Sequence, residues 1–220
     1  MSDLGSPMIE LRGVTTSRGM FPVLSGFTLS VNQGQFLNLY GPTGCGKTTV
    51  LRAAAGLLRP AAGTVLVAGQ NLSRLSSGDL RRLRLHFGFL SLELLPPEDE
   101  TLAEGVALPA ILAGFSNAEA KSLALEALAL CELEPLADEK VGKLSSGERQ
   151  LACLAMALVH QPMLVFADEP VAGLDPEKAA LVTGVLSQYA AQGGTVLSVS
   201  HSPLSADAVI SVGMEKLHHG

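Results

Sequence analysis

The residues best suited to chemistry lie at positions 41–49, where the sequence is G-P-T-G-C-G-K-T-T. This stretch fits the phosphate-loop pattern G-x-x-x-x-G-K-(S/T) at every defined position. Its glycines let backbone amides turn toward phosphate oxygens, and we expect Lys47 to reach the β- and γ-phosphates and Thr48 to bind Mg²⁺. The sequence therefore predicts a site for a nucleoside triphosphate. The residues predicted to contact the nucleotide here are Gly41, Pro42, Thr43, Gly44, Cys45, Gly46, Lys47, Thr48 and Thr49.

Two further chemical groups follow apolar runs. Residues 163–167 (M-L-V-F-A) predict a buried strand that ends in Asp168 and Glu169. Because open α/β sheets bind ligands at the carboxyl ends of their strands, we expect Asp168 to orient Mg²⁺ and Glu169 to polarise an attacking water. His201 follows the predicted strand at residues 195–200 and is placed to sense the γ-phosphate. The alternatives are a solvated turn for the carboxylates and a solvent-facing histidine at a strand end.

The phosphate loop needs a strand before it and a helix after it. Residues 36–40 predict the strand, and residues 48–56 predict a helix that Gly56 could end, which argues against a Gly-rich turn that merely carries a lysine. Alternating apolar residues at 8–14 and 27–31 predict antiparallel strands, with Pro22 and residues 32–34 as breaks. The remaining predicted core strands cover residues 64–68, 86–91, 195–200 and 209–212, and a further helix covers 176–191.

The middle of the chain differs in composition. An acidic, Pro-rich stretch follows residue 91, and capping-box patterns at Thr101–Glu104 and Ser116–Glu119 begin Leu- and Ala-rich helical segments. Residues of about 93 to 160 are therefore predicted to form a mostly helical insertion. The predicted fold class is α/β: a P-loop NTPase core with a mostly parallel sheet, an N-terminal antiparallel β region and an inserted helical subdomain, all in one domain over residues 1–220.

Composition narrows the function classes. A net charge of −6 argues against a nucleic-acid groove, and no apolar run approaches the ~20 residues of a membrane span. The N-terminus lacks a signal-peptide pattern, so we expect a cytosolic protein. Three cysteines without metal spacing, Cys45, Cys131 and Cys153, fit a reducing compartment. Because Cys45 lies near Lys47 and a helix N-terminus, we expect a reactive thiolate that a maleimide modifies unless ATP protects it.

Residues 144–148 (L-S-S-G-E) complete a recognisable set. Together with the phosphate loop, the M-L-V-F-A-D-E strand, A-G-L-D at residues 172–175 and His201, they resemble the ATP-binding subunit of ABC transporters, over nearly the whole chain. The sequence V-A-L-P-A-I-L-A-G at residues 106–114 is similar to the subgroup of macrolide exporters, lipoprotein-releasing complexes and the cell-division cassette.

The resemblance implies ATP as the nucleotide and a head-to-tail dimer with a second ATP-binding subunit, which we expect to be a homodimer. The signature residues Ser145, Ser146, Gly147 and Glu148 would meet the γ-phosphate bound by the other subunit. Asp175 would communicate across that interface. Integral membrane permease subunits would hold the protein at the cytoplasmic face of the membrane. Taken alone, Ser145 and Glu148 form a capping box, which is also an ordinary helix start.

Three features depart from the family pattern. The family has a glutamine after the strand at residues 86–91, whereas no glutamine occurs here between Asn71 and Arg149, and Glu93 could replace it as an oxygen ligand of Mg²⁺. Ser146 and Glu148 stand where the family usually has glycine and glutamine. The adenine-stacking tyrosine is also missing; Arg18 and Phe21 lie near its place and could stack on adenine, although Phe21 fits an ordinary packing role equally well.

These residues favour an ATP-hydrolysing subunit that powers an ABC transporter through ATP-driven dimer closure, with Glu169, His201 and Lys47 as catalytic residues. One alternative is an ATP-dependent dimeric clamp or regulatory subunit with little hydrolysis. The missing glutamine and the altered signature favour the clamp, and intact Glu169 and His201 argue against it. Another alternative is a soluble ABC-type ATPase for DNA repair or translation, but the sequence shows no coiled-coil insertion or second cassette. We expect no nucleic-acid partner.

Overall fold

The computed structural model describes residues 7–18, 21–204 and 209–215, and for Arg18 only the backbone. This part of the chain contains six α-helices and nine strands, and the strands form two sheets. The strands are β1 (Pro7–Arg18), β2 (Phe21–Asn32), β3 (Phe36–Tyr40), β4 (Ala62–Val67), β5 (Gln70–Asn71), β6 (Phe87–Leu90), β7 (Leu164–Asp168), β8 (Thr195–Ser200) and β9 (Val209–Gly213). The helices are α1 (Lys47–Ala54), α2 (Ser77–Arg84), α3 (Leu102–Ala113), α4 (Asn117–Leu130), α5 (Ser146–Leu158) and α6 (Pro176–Ala191).

A parallel sheet with the strand order β6-β7-β8-β3-β9 forms the centre of the molecule. Parallel sheets are normally covered on both faces, and alternate side chains of β3 and β8 enter two different cores. Phe36 and Val196 belong to the core that includes α5 and α6, whereas Leu37 and Leu197 belong to the core that includes α1 and β4. This double burial explains why β8 is buried along its whole length and β3 over its first four residues.

The second sheet is antiparallel, with the order β2-β1-β4-β5. The predicted antiparallel region is confirmed, but β1 and β2 are longer than the predicted residues 8–14 and 27–31. The predicted break at Pro22 is wrong, because Pro22 lies inside β2 and pairs with Ser17. An edge strand tolerates proline, since only one of its sides takes part in the hydrogen-bond ladder.

Local signals set several helix boundaries. The capping boxes at Thr101–Glu104, Ser116–Glu119 and Ser145–Glu148 are all formed and begin α3, α4 and α5. Helix α6 begins with Pro176 after the N-cap residue Asp175 and has the predicted bounds. Helices α3, α4 and α5 pack on one another and carry the signature residues at the start of α5. Within the described residues, no helix combines the length and apolar character that a membrane span requires.

The strand order brings the predicted chemical groups to one edge of the parallel sheet. Strands β7, β8 and β3 are neighbours, and their carboxyl ends lead to Glu169, to His201 and to the loop after Tyr40. The backbone N–H of Gly41 donates to the Ser200 carbonyl at 3.3 Å, which ties the start of the phosphate loop to the end of β8. Groups that are more than 150 positions apart in sequence therefore share one site.

Candidate nucleotide-binding site

The phosphate loop encloses the side chain of Lys47, which is only 6% exposed. Lys47 Nζ donates to the carbonyl oxygens of Gly41 at 2.7 Å and Pro42 at 3.2 Å, so the amine lies within the curve of the loop. Gly46 has φ +102, and a Cβ there would lie 2.9 Å from a methyl carbon of Leu24. Only glycine combines this backbone conformation with so close an approach. The loop therefore has the backbone form that its motif requires.

The other loop residues divide into an exposed crest and a first helical turn. Pro42, Thr43 and Gly44 are exposed, whereas Thr48 and Thr49 are half-buried in α1. Helix α1 begins at Lys47, so its N-terminal amides and the positive end of its dipole are directed at the loop. This arrangement suits a bound polyphosphate.

Thr48 and Asp168 face each other across the site, with Thr48 Oγ1 3.5 Å from Asp168 Oδ1. A hydroxyl and a carboxylate are oxygen donors of the kind that Mg²⁺ takes in nucleotide sites, so this pair fits the ion. Burial raises the pKa of Asp168, an effect opposed by its hydrogen bond from Thr48 and by the charge of Arg52 and reinforced by the charge of Glu93. A bound cation would favour the carboxylate that burial disfavours.

Glu169 and His201 form a pair at the mouth of the site. His201 Nε2 lies 3.3 Å from Glu169 Oε1, and the two side chains are 57% and 28% exposed. Glu169 has φ 51, a left-handed conformation that is uncommon for a residue with a side chain. Its backbone N–H donates to the carbonyl of Val199 at 2.9 Å, which holds this turn against β8. The strained backbone aims the carboxylate out of the strand toward solvent.

Gln150 supports the same turn and was overlooked in the sequence. Its side chain is 3% exposed, and its Nε2 donates to the carbonyls of Pro170 at 2.9 Å and Glu169 at 3.2 Å. Gln150 lies in the first two turns of α5, so it joins the signature helix to the turn that carries Glu169. The available signal was a glutamine that immediately precedes the apolar run L-A-C-L-A-M-A-L.

The signature residues lie apart from this group. Ser145 Oγ accepts from the Glu148 N–H at 3.3 Å, and Glu148 Oε2 accepts from the Ser145 N–H at 2.7 Å. These bonds with Ser145, and then the charge of Lys178, hold the pKa of Glu148 below its usual value. A Cβ on Gly147 would lie 3.1 Å from Lys178 Nζ. The signature therefore presents an exposed serine end beside the start of α6.

Asp175 is at the start of α6, next to the signature. Its Oδ1 accepts from the Lys178 N–H at 2.9 Å, and its Oδ2 lies 3.6 Å from Lys178 Nζ. The backbone hydrogen bond from Lys178 is the main cause of the lowered pKa of Asp175. Asp175 is thus an N-cap residue with the signature helix beside it.

Glu93 lines the same cavity as Asp168. It follows β6 in a short 3₁₀ turn and lines a cavity of about 330 Å³ together with Arg52 and Asp168. Its charge contributes to the raised pKa of Asp168. The structure therefore places Glu93 within electrostatic reach of the predicted Mg²⁺ ligand.

The other residues predicted to contact the nucleotide are Arg18, Phe21 and Cys45. Phe21 is 70% exposed at the start of β2, and the Arg18 side chain lies outside the described residues. Cys45 is only 3% exposed, which contradicts the expectation that a maleimide reaches its thiol readily. The Cys45 Sγ packs behind the loop, 3.2 Å from where a Cβ on Gly41 would lie. Because the path of the loop directs its backbone amides toward the ligand side, the Cys45 side chain points into the protein.

A phosphate loop, an Mg²⁺-type oxygen pair, a strand-end glutamate with its histidine and a helical insertion together define an ATP-binding cassette. A family model described as "ABC transporter" matches residues 24–172, and the chain belongs to that family. It is similar to the lipoprotein-releasing system ATP-binding protein LolD of Bacteroides thetaiotaomicron, with 40% identity over 171 residues, 76% of this chain and 78% of LolD. It also resembles the macrolide export ATP-binding/permease protein MacB 1/2 of Paracoccus denitrificans, with 33% identity over 208 residues.

The match to MacB covers 92% of this chain but only 31% of the MacB protein. These two relatives confirm the subgroup inferred from residues 106–114. Among solved structures, the dimeric bacterial ABC transporter cassette MJ0796 superposes with a TM-score of 0.85 at 29% identity, covering 94% of each chain. The same cassette is also known as a post-hydrolysis dimer with ADP and Pi. The α/β fold with its inserted helical subdomain is therefore confirmed, and the chain is a cassette of the kind that powers ABC transport.

Proposed function

We propose that this chain hydrolyses ATP between two cassettes and thereby drives a membrane permease. The observation that carries the proposal is the pair of contacts around Lys47: Thr48 beside Asp168 at 3.5 Å, and Glu169 beside His201 at 3.3 Å. The first pair suits Mg²⁺ and the second suits an attacking water. If Glu169 had no catalytic role, its strained left-handed backbone conformation would not be needed.

Each side chain has a separate task in the proposed reaction. Lys47 exchanges the carbonyl oxygens of Gly41 and Pro42 for phosphate oxygens and holds their charge. Thr48 and Asp168 would hold Mg²⁺, which when bound neutralises charge on the phosphate oxygens. Glu169 accepts a hydrogen bond from the attacking water and orients it. His201 donates to the γ-phosphate from the other side of the same mouth.

A second chain completes the site. Ser145 and Ser146 are exposed at the N-terminus of α5, a position that favours anions. The dimeric cassette MJ0796, which has the same fold, supports the pairing of two chains, which we propose to be head-to-tail. In this arrangement the signature of one chain meets the γ-phosphate bound by the other. Glu148 stays within its own cap and so keeps its charge turned away from the phosphate.

The membrane partner is inferred from the relatives. The name of LolD places it in a lipoprotein-releasing system, and the name of MacB combines ATP binding with a permease. This chain matches 31% of MacB, so we propose that permease subunits act with the chain and hold it at the cytoplasmic face of the membrane. A homodimer of this chain is the simplest working pair.

Glu93 takes the place of the missing glutamine in this proposal. It shares a cavity with Asp168, and an oxygen at this point can contact Mg²⁺ or its water. We expect Glu93→Ala to lower Mg²⁺-dependent turnover about tenfold, as loss of one hydrogen bond to a charged group would. Glu126→Ala, which removes an exposed carboxylate from α4, is the matched control. Unchanged turnover in Glu93→Ala would exclude this role.

Phosphate release under steady-state Mg²⁺-ATP tests hydrolysis itself. Glu169→Gln and His201→Ala should each lose turnover by a factor of about 100 or more, whereas Glu177→Gln, an exposed carboxylate in α6, should keep it. If wild type and Glu169→Gln release phosphate equally slowly, the chain is a clamp. The altered signature, with Ser146 and Glu148, is the feature that favours this second function.

A further inference from the structure

A polar cluster lies in the middle of the apolar parallel sheet, directly below the candidate site. Asn38 is in β3 between two buried leucines and is fully buried, although buried parallel strands are otherwise almost wholly apolar. Ser198 and Ser200 of β8 are also buried, with 0% and 3% exposure. Asn38 pairs with Ser198 in the ladder, so all three side chains lie on one face of the sheet. A buried amide is costly unless its hydrogen bonds are made, which suggests a purpose for this one.

The cluster is bonded to the residue that precedes His201. Asn38 Oδ1 accepts from Ser198 Oγ at 2.9 Å and from Ser200 Oγ at 3.1 Å. The backbone carbonyl of Ser200 accepts from Gly41 N–H at 3.3 Å, at the start of the phosphate loop. Asn38 therefore holds Ser200, which touches both the phosphate loop and the turn of His201.

Hydrogen bonds of the Ser200 hydroxyl connect the cluster to the turn that contains His201. The Ser200 hydroxyl has one proton and two acceptors within reach, Asn38 Oδ1 at 3.1 Å and the Ser202 carbonyl at 2.5 Å. Within the described part of the chain, Asn38 Nδ2 is buried and has no partner. If the hydroxyl donates to Ser202, a half turn of the amide lets Nδ2 donate to Ser200 Oγ. That arrangement links Asn38 through Ser200 to Ser202, and so closes the turn around His201.

We propose that Asn38 is a positioning residue for hydrolysis, which fixes the turn from Ser200 to Ser202 and thereby holds His201 beside Glu169. This inference rests on the proposed function. The His201 side chain is 57% exposed, so surrounding packing restrains it little and the turn must set its place. By holding Ser200, the Asn38 amide maintains the 3.3 Å contact between His201 Nε2 and Glu169 Oε1 before ATP binds.

The test uses two disrupting variants and one control. Asn38→Leu keeps the branching at Cγ and removes the amide, and Ser200→Ala removes only the hydroxyl that reaches the turn. Ser198→Ala, the control, removes a hydroxyl bonded to the same amide but three residues from His201. We expect kcat to fall about tenfold in the two disrupting variants and less than twofold in the control, with the KM for ATP unchanged because Lys47 is untouched.

A second readout follows His201 without any turnover. The His201 imidazole signal is recorded by NMR in nucleotide-free protein and assigned with His201→Gln. It should move in Asn38→Leu and in Ser200→Ala and stay in place in Ser198→Ala. If Asn38→Leu does not fold, Ser200→Ala, which deletes one oxygen atom, decides the question.

Two results would overturn the inference. One is a wild-type His201 signal and a wild-type kcat in both disrupting variants. The other is an equal effect of Ser198→Ala, since the cluster would then act only through packing. Absence of hydrolysis in the wild type would instead refute the proposed function, and the NMR signal would still judge whether Asn38 positions His201.

Discussion

A signature role of Ser145 can be distinguished from its role as a helix cap, because a second Ser–Glu capping box is present among the described residues. Ser116 Oγ accepts from the Glu119 N–H at 3.3 Å at the start of α4, and Ser145 Oγ accepts from the Glu148 N–H at 3.3 Å at the start of α5. Both serine N–H groups donate back to the glutamate, at 2.9 and 2.7 Å. Only Ser145 belongs to the signature. Ser116→Ala is therefore a matched control for Ser145→Ala.

The two substitutions should cost the same stability. Each removes one side-chain cap and keeps the reciprocal bond, which uses the backbone N–H of the substituted residue. Loss of a serine N-cap costs about 1 kcal/mol in the free energy of unfolding. For a domain of this length, that corresponds to a fall in Tm of about 3 °C in each variant.

Function should distinguish the variants. In the proposed dimer the Ser145 hydroxyl contacts the γ-phosphate held by the other chain, and a hydrogen bond to a charged group contributes about 1.5–3 kcal/mol. A homodimer has two such contacts, so their loss corresponds to a weakening of ATP-dependent dimerisation by about 10²- to 10⁴-fold. Ser116 is the N-cap of α4 and does not belong to the signature, so its variant should dimerise like the wild type.

Thermal unfolding by circular dichroism measures the stability cost, and light scattering with ATP in a Glu169→Gln background measures dimerisation. The reasoning fails if Ser145→Ala dimerises as well as Ser116→Ala, because the signature serine would then be a cap and nothing more. A difference in Tm of more than about 6 °C between the two variants would refute the equal capping contributions.

Three further predictions concern packing and titration. A Cβ at Gly88 would lie 2.1 Å from the Ala157 carbonyl oxygen, so Gly88→Ala should cost about 2–3 kcal/mol in urea unfolding, whereas Gly184→Ala, with open space in α6, should add about 0.5–1 kcal/mol. Burial raises the pKa of Asp168 in the folded state above its value in the unfolded chain. Asp168 therefore contributes to the free energy of unfolding at low pH, and this contribution is lost as pH rises through the folded-state pKa. Asp168→Asn should therefore be more stable than the wild type at pH ~7 without nucleotide and gain nothing from Mg²⁺-ATP. Burial lowers the pKa of His160, so the wild type should lose stability as pH falls below the ordinary histidine value, and His160→Gln should lose less.

Each of these predictions has a clear opposite result. Wild-type stability of Gly88→Ala would mean that the end of α5 yields to β6 without cost. An Asp168→Asn variant less stable than the wild type at neutral pH would mean that the carboxylate stabilises the empty site. Equal pH slopes for wild type and His160→Gln between pH ~7 and ~5 would show that His160 is not the titrating group.

Elements with strong local signals could be predicted from the sequence to the residue. Strand β3, helix α6 and strand β8 have the predicted bounds, because turn residues, a proline and two glycines define their ends locally. The hairpin of β1 and β2 was underestimated, since its outer residues gain their strand conformation from pairing across the hairpin rather than from their own propensity. The break predicted at Pro22 was wrong for a related reason. Pro22 is tolerated because β2 is an edge strand, and the local sequence pattern does not specify strand order.

The site divides in a similar way. The placement of Lys47 and Thr48 at the start of α1, and of Asp168 and Glu169 at the end of β7, could be predicted because motif spacing fixes them. Gln150 and Asn38 could not, because their tasks come from the packing of α5 on the Glu169 turn and from the register of β3 with β8. No local pattern specifies either contact. The burial of Cys45 was missed because only the path of the loop decides which way its side chain points.

The central claim is that each nucleotide lies between the phosphate loop of one chain and the signature of another. Thr43 and Ser146 are both exposed, and the three native cysteines are buried, so cysteines at these two positions can be joined by a short bismaleimide. The measurement is the fraction of covalent dimer formed by Thr43→Cys/Ser146→Cys in a Glu169→Gln background, with and without ATP. We predict a covalent dimer only with ATP, both for the double variant and for a mixture of the two single variants, and none for either single variant alone. A chain that binds ATP but forms no ATP-dependent covalent dimer would contradict the account.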